Sequence, residues 1–141
     1  KPAADIPVLQ LSIDYTKSPK DLLEIGKVLG SLREEGVLVM GSGNITHNLR
    51  DAMKHWGQTD PATPEWAARF DAEVAQAMEQ HDNEYLATLP SKAEFSLSHP
   101  TADHFLPLLY VAGASRPSDR VSFPITGFDM GSLSMRAVLF E

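Results

Sequence analysis

The sequence predicts an α/β fold, a βαβ-containing sheet flanked by helices, and three observations carry that reading. Residues 6–13 and 37–40 are apolar runs rich in β-branched and aliphatic side chains. Between them Leu22, Ile25, Leu29 and Leu32 recur at helical spacing. Toward the end of the chain, Leu133, Met135, Ala137 and Leu139 alternate with Ser134, Arg136, Val138 and Phe140, the period of a strand. Strand, helix and strand within about 35 residues implies a parallel pair and a right-handed crossover.

Each element has its own signal. Ser18-Pro19 places a hydroxyl N-cap before a proline at the first helical position, and Gly36 suits the C-terminal end of that helix. The continuous run at 37–40 suits a strand covered on both faces, and Gly41-Ser42-Gly43-Asn44 follows it directly. A helical stretch is expected over 45–56. Thr63-Pro64 starts another, with Trp66, Phe70, Val74 and Ala77 on one face. Asp82 can cap a short helix carrying Tyr85, Leu86 and Leu89, and the polar segment 90–100 reads as loop. Phe105, Leu108, Leu109 and Ala112 give 101–112 a helical period, but Pro107 has no N–H for a helix interior. That helix therefore either begins near Phe105 or kinks beside His104. Two β segments, 120–123 and 132–140, close the chain, separated by turns containing Gly127 and Gly131.

Composition narrows the function. Hydrophobic residues make up 43% and charged residues 22%, which suits a folded core. Twelve Lys and Arg against 19 Asp and Glu leave a formal charge of −7 with no basic run, which argues against nucleic acid or a membrane surface as partner. The absence of cysteine removes thiol nucleophiles, Cys-ligated zinc and iron–sulfur clusters, and fits a cytoplasmic setting. No repeat or internal domain boundary is visible. A buried strand at residue 6 with few partners to follow reads either as a processed N-terminus or as a piece of a longer protein.

Gly41 and Gly43 fit the first two positions of a dinucleotide-binding G-x-G-x-x-G, but Thr46 occupies the third and Asp60 lies in a turn, so a nicotinamide-binding reading is weak. Loops at the carboxyl ends of parallel strands nonetheless form ligand crevices. Asn44, Thr46 and His47 would project near such a crevice, which makes His47 the leading site candidate by position. His55, His81 and His99 read as surface or capping residues, and no local metal motif such as H-E-x-x-H is present. His104 stands beside the irregularity that Pro107 forces.

Four blocks then occur in a telling order: Val8-Leu9-Gln10-Leu11-Ser12-Ile13-Asp14, Gly41-Ser42-Gly43-Asn44-Ile45-Thr46-His47-Asn48-Leu49-Arg50, Pro100-Thr101-Ala102-Asp103-His104-Phe105-Leu106-Pro107-Leu108-Leu109-Tyr110 and Met130-Gly131-Ser132-Leu133-Ser134-Met135. Together they resemble the class III extradiol ring-cleavage dioxygenases of the 4,5-DOPA extradiol dioxygenase type. The resemblance implies that residues 1–141 are the C-terminal part of a single larger LigB-like catalytic domain. It implies a non-haem Fe(II) or Zn(II) held mainly by histidines, a catecholic substrate such as DOPA, and O2. By motif, His104 matches a metal ligand. His47 matches a histidine with an acid/base part that can also touch the metal. The remaining histidines of such a site would lie in a missing N-terminal half, the chain's expected partner, with homo-oligomers also open. Ala102-Asp103 stands where the family usually shows Pro-Glu, and leaves the histidine in place. Ser12, Asn44 and Thr46 are expected to line the pocket. The alternative is a non-catalytic ligand-binding or interaction module that retains the fold.

Overall fold

Ser18 opens helix α1 (Pro19–Gly30) with a reciprocal capping box: its hydroxyl accepts from Asp21 N at 3.2 Å, while Asp21 Oδ2 accepts from Ser18 N at 2.9 Å. A computed structural model of the protein describes residues 2–141. The helix tightens into a 3-10 turn over Ser31–Glu35, and Gly36 ends it in the left-handed region at φ 78°. Four further α-helices precede the last one: α2 (Leu49–Ala52), α3 (Glu65–Glu79), α4 (Asn83–Thr88) and α5 (Phe95–Ser98). Helix α6 (Leu106–Ala114) begins with Pro107 in its first turn, where the missing N–H is not needed. Of the two outcomes open to 101–112, the later start is the one found, and a separate 3-10 turn over Ala102–His104 carries His104.

The core forms where α1 and α6 cross. Their backbones approach so closely that a Cβ on Gly26 would lie 2.3 Å from the Tyr110 carbonyl oxygen, and one on Gly113 would lie 2.2 Å from that of Leu23. Around this crossing Leu22, Leu109, Val74, Met78, Leu86 and Phe105 are fully buried. Each such side chain contributes on the order of 1.5–3 kcal/mol of hydrophobic stabilisation. Of the face predicted for α3, Phe70, Val74 and Ala77 are buried and Trp66 is half-buried, and Met78 joins the inward stripe.

Among the described residues strands are confined to the C-terminal region: β1 (Val121–Ile125) pairs antiparallel with β4 (Ala137–Phe140), and β2 (Phe128–Asp129) with β3 (Leu133–Ser134). The result is a mixed fold of small sheets flanked by helices. The parallel pair expected of 6–13 and 37–40 is not formed among the described residues. Both runs lack ladder bonds, and Leu9 is 97% and Leu38 77% exposed. A parallel strand needs cover on both faces, which no other element here supplies.

Three further boundaries differ from expectation. Only α2 and a 3-10 turn at Met53–His55 are helical within 45–56, because Asn48 caps α2 and leaves 45–48 irregular. The segment 90–100 contains α5. The alternating tail is two strands, and its inward face is the set Ser134, Arg136, Val138 and Phe140: Ser134 is buried, Val138 and Phe140 pack on the core, and the Arg136 side chain is 16% exposed. No helix among the described residues is long and apolar enough to cross a membrane.

Candidate active site

Two histidines separated by 57 positions meet face to face: the imidazoles of His47 and His104 stack with centroids 3.7 Å apart and planes inclined by 22°. The glycine-rich turn makes this meeting sterically possible. It passes over the start of α6 so tightly that a Cβ on Gly43 would lie 2.1 Å from the His104 carbonyl oxygen. The neighbouring Asn44 N–H donates to that same oxygen at 2.9 Å.

From there every residue up to His47 is tied to another element. The Asn44 side-chain amide donates to Ser134 O at 2.9 Å, and Thr46 Oγ1 donates to Ser132 O at 2.8 Å. Ser134 N–H returns a bond to Thr46 Oγ1 at 2.9 Å. On the other side, His99 Nε2–H donates to Ile45 O at 2.7 Å and His47 N–H donates to Ser98 O at 2.9 Å. The segment is thus held between the C-terminal strands and the end of α5.

Asp71 anchors the strand side. Its carboxylate lies on the buried face of α3, accepts from Ser134 Oγ at 2.6 Å, and pairs with Arg136 through Nε at 3.1 Å and Nη2 at 2.6 Å. The Arg136 guanidinium also stacks 4.6 Å above the Phe123 ring.

Burial holds the His47 imidazole below the ordinary histidine range; the adjacent His104 pushes in the same direction and Asp103 opposes both. A neutral imidazole keeps a lone pair free for a proton or a metal. The Asp103 carboxylate lies 3.3 Å from His104 Nε2, and the Thr101 hydroxyl holds that carboxyl below its usual range. This end of the pair therefore carries a negative charge facing the imidazoles. As a donor set, two half-buried imidazoles suit a divalent metal that prefers nitrogen, but they form only part of a shell. No group of three or more His, Asp or Glu among the described residues is arranged to hold a metal ion.

His99 departs from its expected surface role. It is 2% exposed, and burial lowers its pKa to about 4. Its position four residues after Phe95, the spacing of one helical turn, is the sequence signal for this, and the two rings do stack, with centroids 4.9 Å apart. Asp71 had a signal too: a carboxylate three residues before Val74 and four after Ala67 shares their buried face and needs a partner. The Asn44 and Thr46 side chains are engaged with the C-terminal strands, and Ser12 is exposed. A separate cavity of about 530 Å³, bounded by Trp66, Phe70, Leu89 and Phe95, includes neither His47 nor His104 in its lining.

Residues 2–128 match the family described as the catalytic LigB subunit of aromatic ring-opening dioxygenase. The chain is 41% identical over 143 residues to the 4,5-DOPA dioxygenase extradiol of Escherichia coli (strain K12), a match that covers 97% of this chain and 51% of that protein. It is 34% identical to the protein of the same name from Portulaca grandiflora, over 99% of this chain and 51% of the relative. A crystal structure of an uncharacterized protein from Escherichia coli K12 superposes with a TM-score of 0.87 at 38% identity, covering 97% of this chain and 56% of that one. The chain thus spans about half the length of the curated relatives it matches.

Proposed function

The chain belongs to the LigB family of aromatic ring-opening dioxygenase subunits, and on that premise we propose that it is the half of an extradiol dioxygenase that supplies His47 and His104 to the reaction centre. The observation that carries the proposal is the stacked pair itself, with centroids 3.7 Å apart and His47 biased toward its neutral form. The substrate class proposed is a catechol such as DOPA, opened at the carbon–carbon bond beside the diol.

His104 would hold a non-haem Fe(II) or Zn(II), and His47 would touch the metal only while its lone pair is not taking up a proton. When bound, the metal supplies open positions where both catechol oxygens and O2 can be brought together. The chain's own residues divide the remaining work. The neutral His47 imidazole accepts a phenolic proton as the catechol binds, and the resulting imidazolium returns it as the ring opens. The Asp103 carboxylate favours the cationic form of His47 and so steadies it while it carries the proton. The two-sided tether on residues 44–47 keeps the imidazole from swinging away between these steps.

The remaining half of the relatives' length is the proposed source of the other metal ligands and of cover for the runs 6–13 and 37–40. The exposed Val8, Leu9, Leu38 and Met40 support this.

The test is an assay of the longest natural product containing this chain, loaded with Fe(II) or Zn(II) and mixed with DOPA under oxygen. Metal-dependent appearance of the coloured ring-opened product is expected. A folded, metal-loaded protein that leaves DOPA and other catechols intact would overturn the proposal in favour of a non-catalytic binding module, a reading favoured by the incomplete donor set within this chain.

A further inference from the structure

His99 buries more polarity than its packing role requires. Its ring is stacked on Phe95 and meets Phe105 at 5.4 Å and Phe70 at 6.0 Å, an aromatic nest that an apolar side chain would fill as well. One nitrogen, Nε2, donates to Ile45 O at 2.7 Å. The other, Nδ1, is buried without a partner. An unsatisfied buried polar atom is unfavourable, so the side that does bond is the reason for an imidazole at this position. That bond grips the backbone two residues before His47, and the preceding residue, Ser98, accepts the His47 N–H. The same ring packs on Phe105, which follows His104 directly. One buried side chain therefore touches the supports of both site histidines.

We propose that His99 is a positioning residue that sets the register of His47 against His104, through the Ile45 carbonyl on one side and the Phe105 ring on the other. This rests on the dioxygenase reading for its catalytic consequence but not for its geometric one.

The experiment compares His99→Leu and His99→Gln in the full-length protein. Leucine fills the nest without a donor, whereas the glutamine amide can place an N–H near the position of Nε2. With DOPA as substrate, kcat is expected to fall at least about tenfold in His99→Leu while KM stays within about threefold, because a small misplacement of a reacting group is felt chiefly in turnover. His99→Gln should recover most of the loss. Nuclear Overhauser contacts between the His47 and His104 ring protons give a readout independent of activity: present in wild type and His99→Gln, lost in His99→Leu. Wild-type contacts in His99→Leu, or their loss in a folded His99→Gln, would overturn the inference. If His99→Leu does not fold, the glutamine variant alone decides by the same contacts. If the wild type opens no ring while the contacts behave as expected, the functional reading fails and the positioning role stands.

Discussion

The carbonyl oxygen of His104 occupies the space that a Cβ on Gly43 would need, 2.1 Å away, and the Asn44 N–H closes on that oxygen at 2.9 Å. Gly43 is not in the left-handed region, so the requirement is for room and not for an unusual φ. The oxygen belongs to rigid backbone and cannot step aside like the tip of a side chain. The contact joins the two ends of the chain segment that brings the imidazoles together.

Gly43→Ala should therefore push the 41–47 turn away from the start of α6. A loss of about 1–3 kcal/mol of stability is expected, typical of overpacking, measured by chemical denaturation. The His47–His104 stack should open with it. An alanine variant with wild-type stability and an unchanged ring separation would contradict this account.

Roles within the pair separate by substitution in the full-length protein. His104→Ala should lower metal affinity by more than about a hundredfold, beyond what loss of an outer-shell partner costs, and activity should fall with it. His47→Ala should lower turnover by about 10²–10⁴-fold, the range of an acid/base group, with a smaller effect on bound metal. Metal analysis beside steady-state kinetics checks both. Equal metal loss in the two variants would make His47 chiefly a ligand.

Asp71 and Arg136 form a buried, two-pronged ion pair beside Ser134 of β3, with side chains 6% and 16% exposed. Asp71→Ala strands the guanidinium and should cost about 3–5 kcal/mol. Replacing both, Asp71→Leu with Arg136→Met, should recover most of that stability, because the uncompensated charge goes as well. Thermal melts of the single and double variants decide it. A double variant no more stable than the single one would mean that the Ser134 hydroxyl, not the charge pair, is the main partner of Asp71.

Much of this architecture was legible in the sequence, and the reasons for the exceptions are physical. Ser18-Pro19 and the leucines of α1 declared a helix because capping and periodicity are local properties. The match of motif blocks at His47 and His104 was enough to bring two distant histidines together in expectation. Spacing can place His99 and Asp71 on buried faces, but it cannot name their partners, the Ile45 carbonyl and Arg136, which are 54 and 65 residues away. The alternation of 132–140 was visible, but which face turns inward was not, since an arginine goes inside only when a buried carboxylate awaits it. The runs 6–13 and 37–40 have strand composition without strand pairing, because a ladder needs neighbours that composition cannot supply.

Acid stability should report the burial of His99. Its pKa is lowered to about 4 from 6.5, so between those values the unfolded chain binds a proton that the folded chain refuses. Stability then rises with pH across that window, is complete above about 6.5, and is lost as pH falls toward about 4. A shift of that size corresponds to about 3 kcal/mol. His99→Gln, which cannot titrate, should remove that slope when denaturation curves at pH 4.5 and 7 are compared. A slope that survives the substitution would assign it to other groups.

The isolated chain 1–141 should self-associate and hold metal weakly. Val8, Leu9, Leu38 and Met40 are among the most exposed large apolar side chains, at 86%, 97%, 77% and 80%. They stand on two runs whose backbone groups enter no ladder, which makes them templates for pairing with another chain. A formal charge of −7 opposes association at long range, but salt screens it beyond about 8 Å at physiological ionic strength. Raising the salt should therefore favour association, as it would not if charge pairs held the copies together. Metal affinity grows with the number and preorganisation of ligands, so two imidazoles should bind Fe(II) or Zn(II) well short of a complete site. Light scattering after size exclusion, with and without added salt, and calorimetric metal titration make the comparison. Co-expression with the other half of a full-length relative should restore a defined species and tight metal binding together. A monomeric 1–141 with sub-micromolar metal affinity would show that neither the runs nor the histidine pair need a completing half.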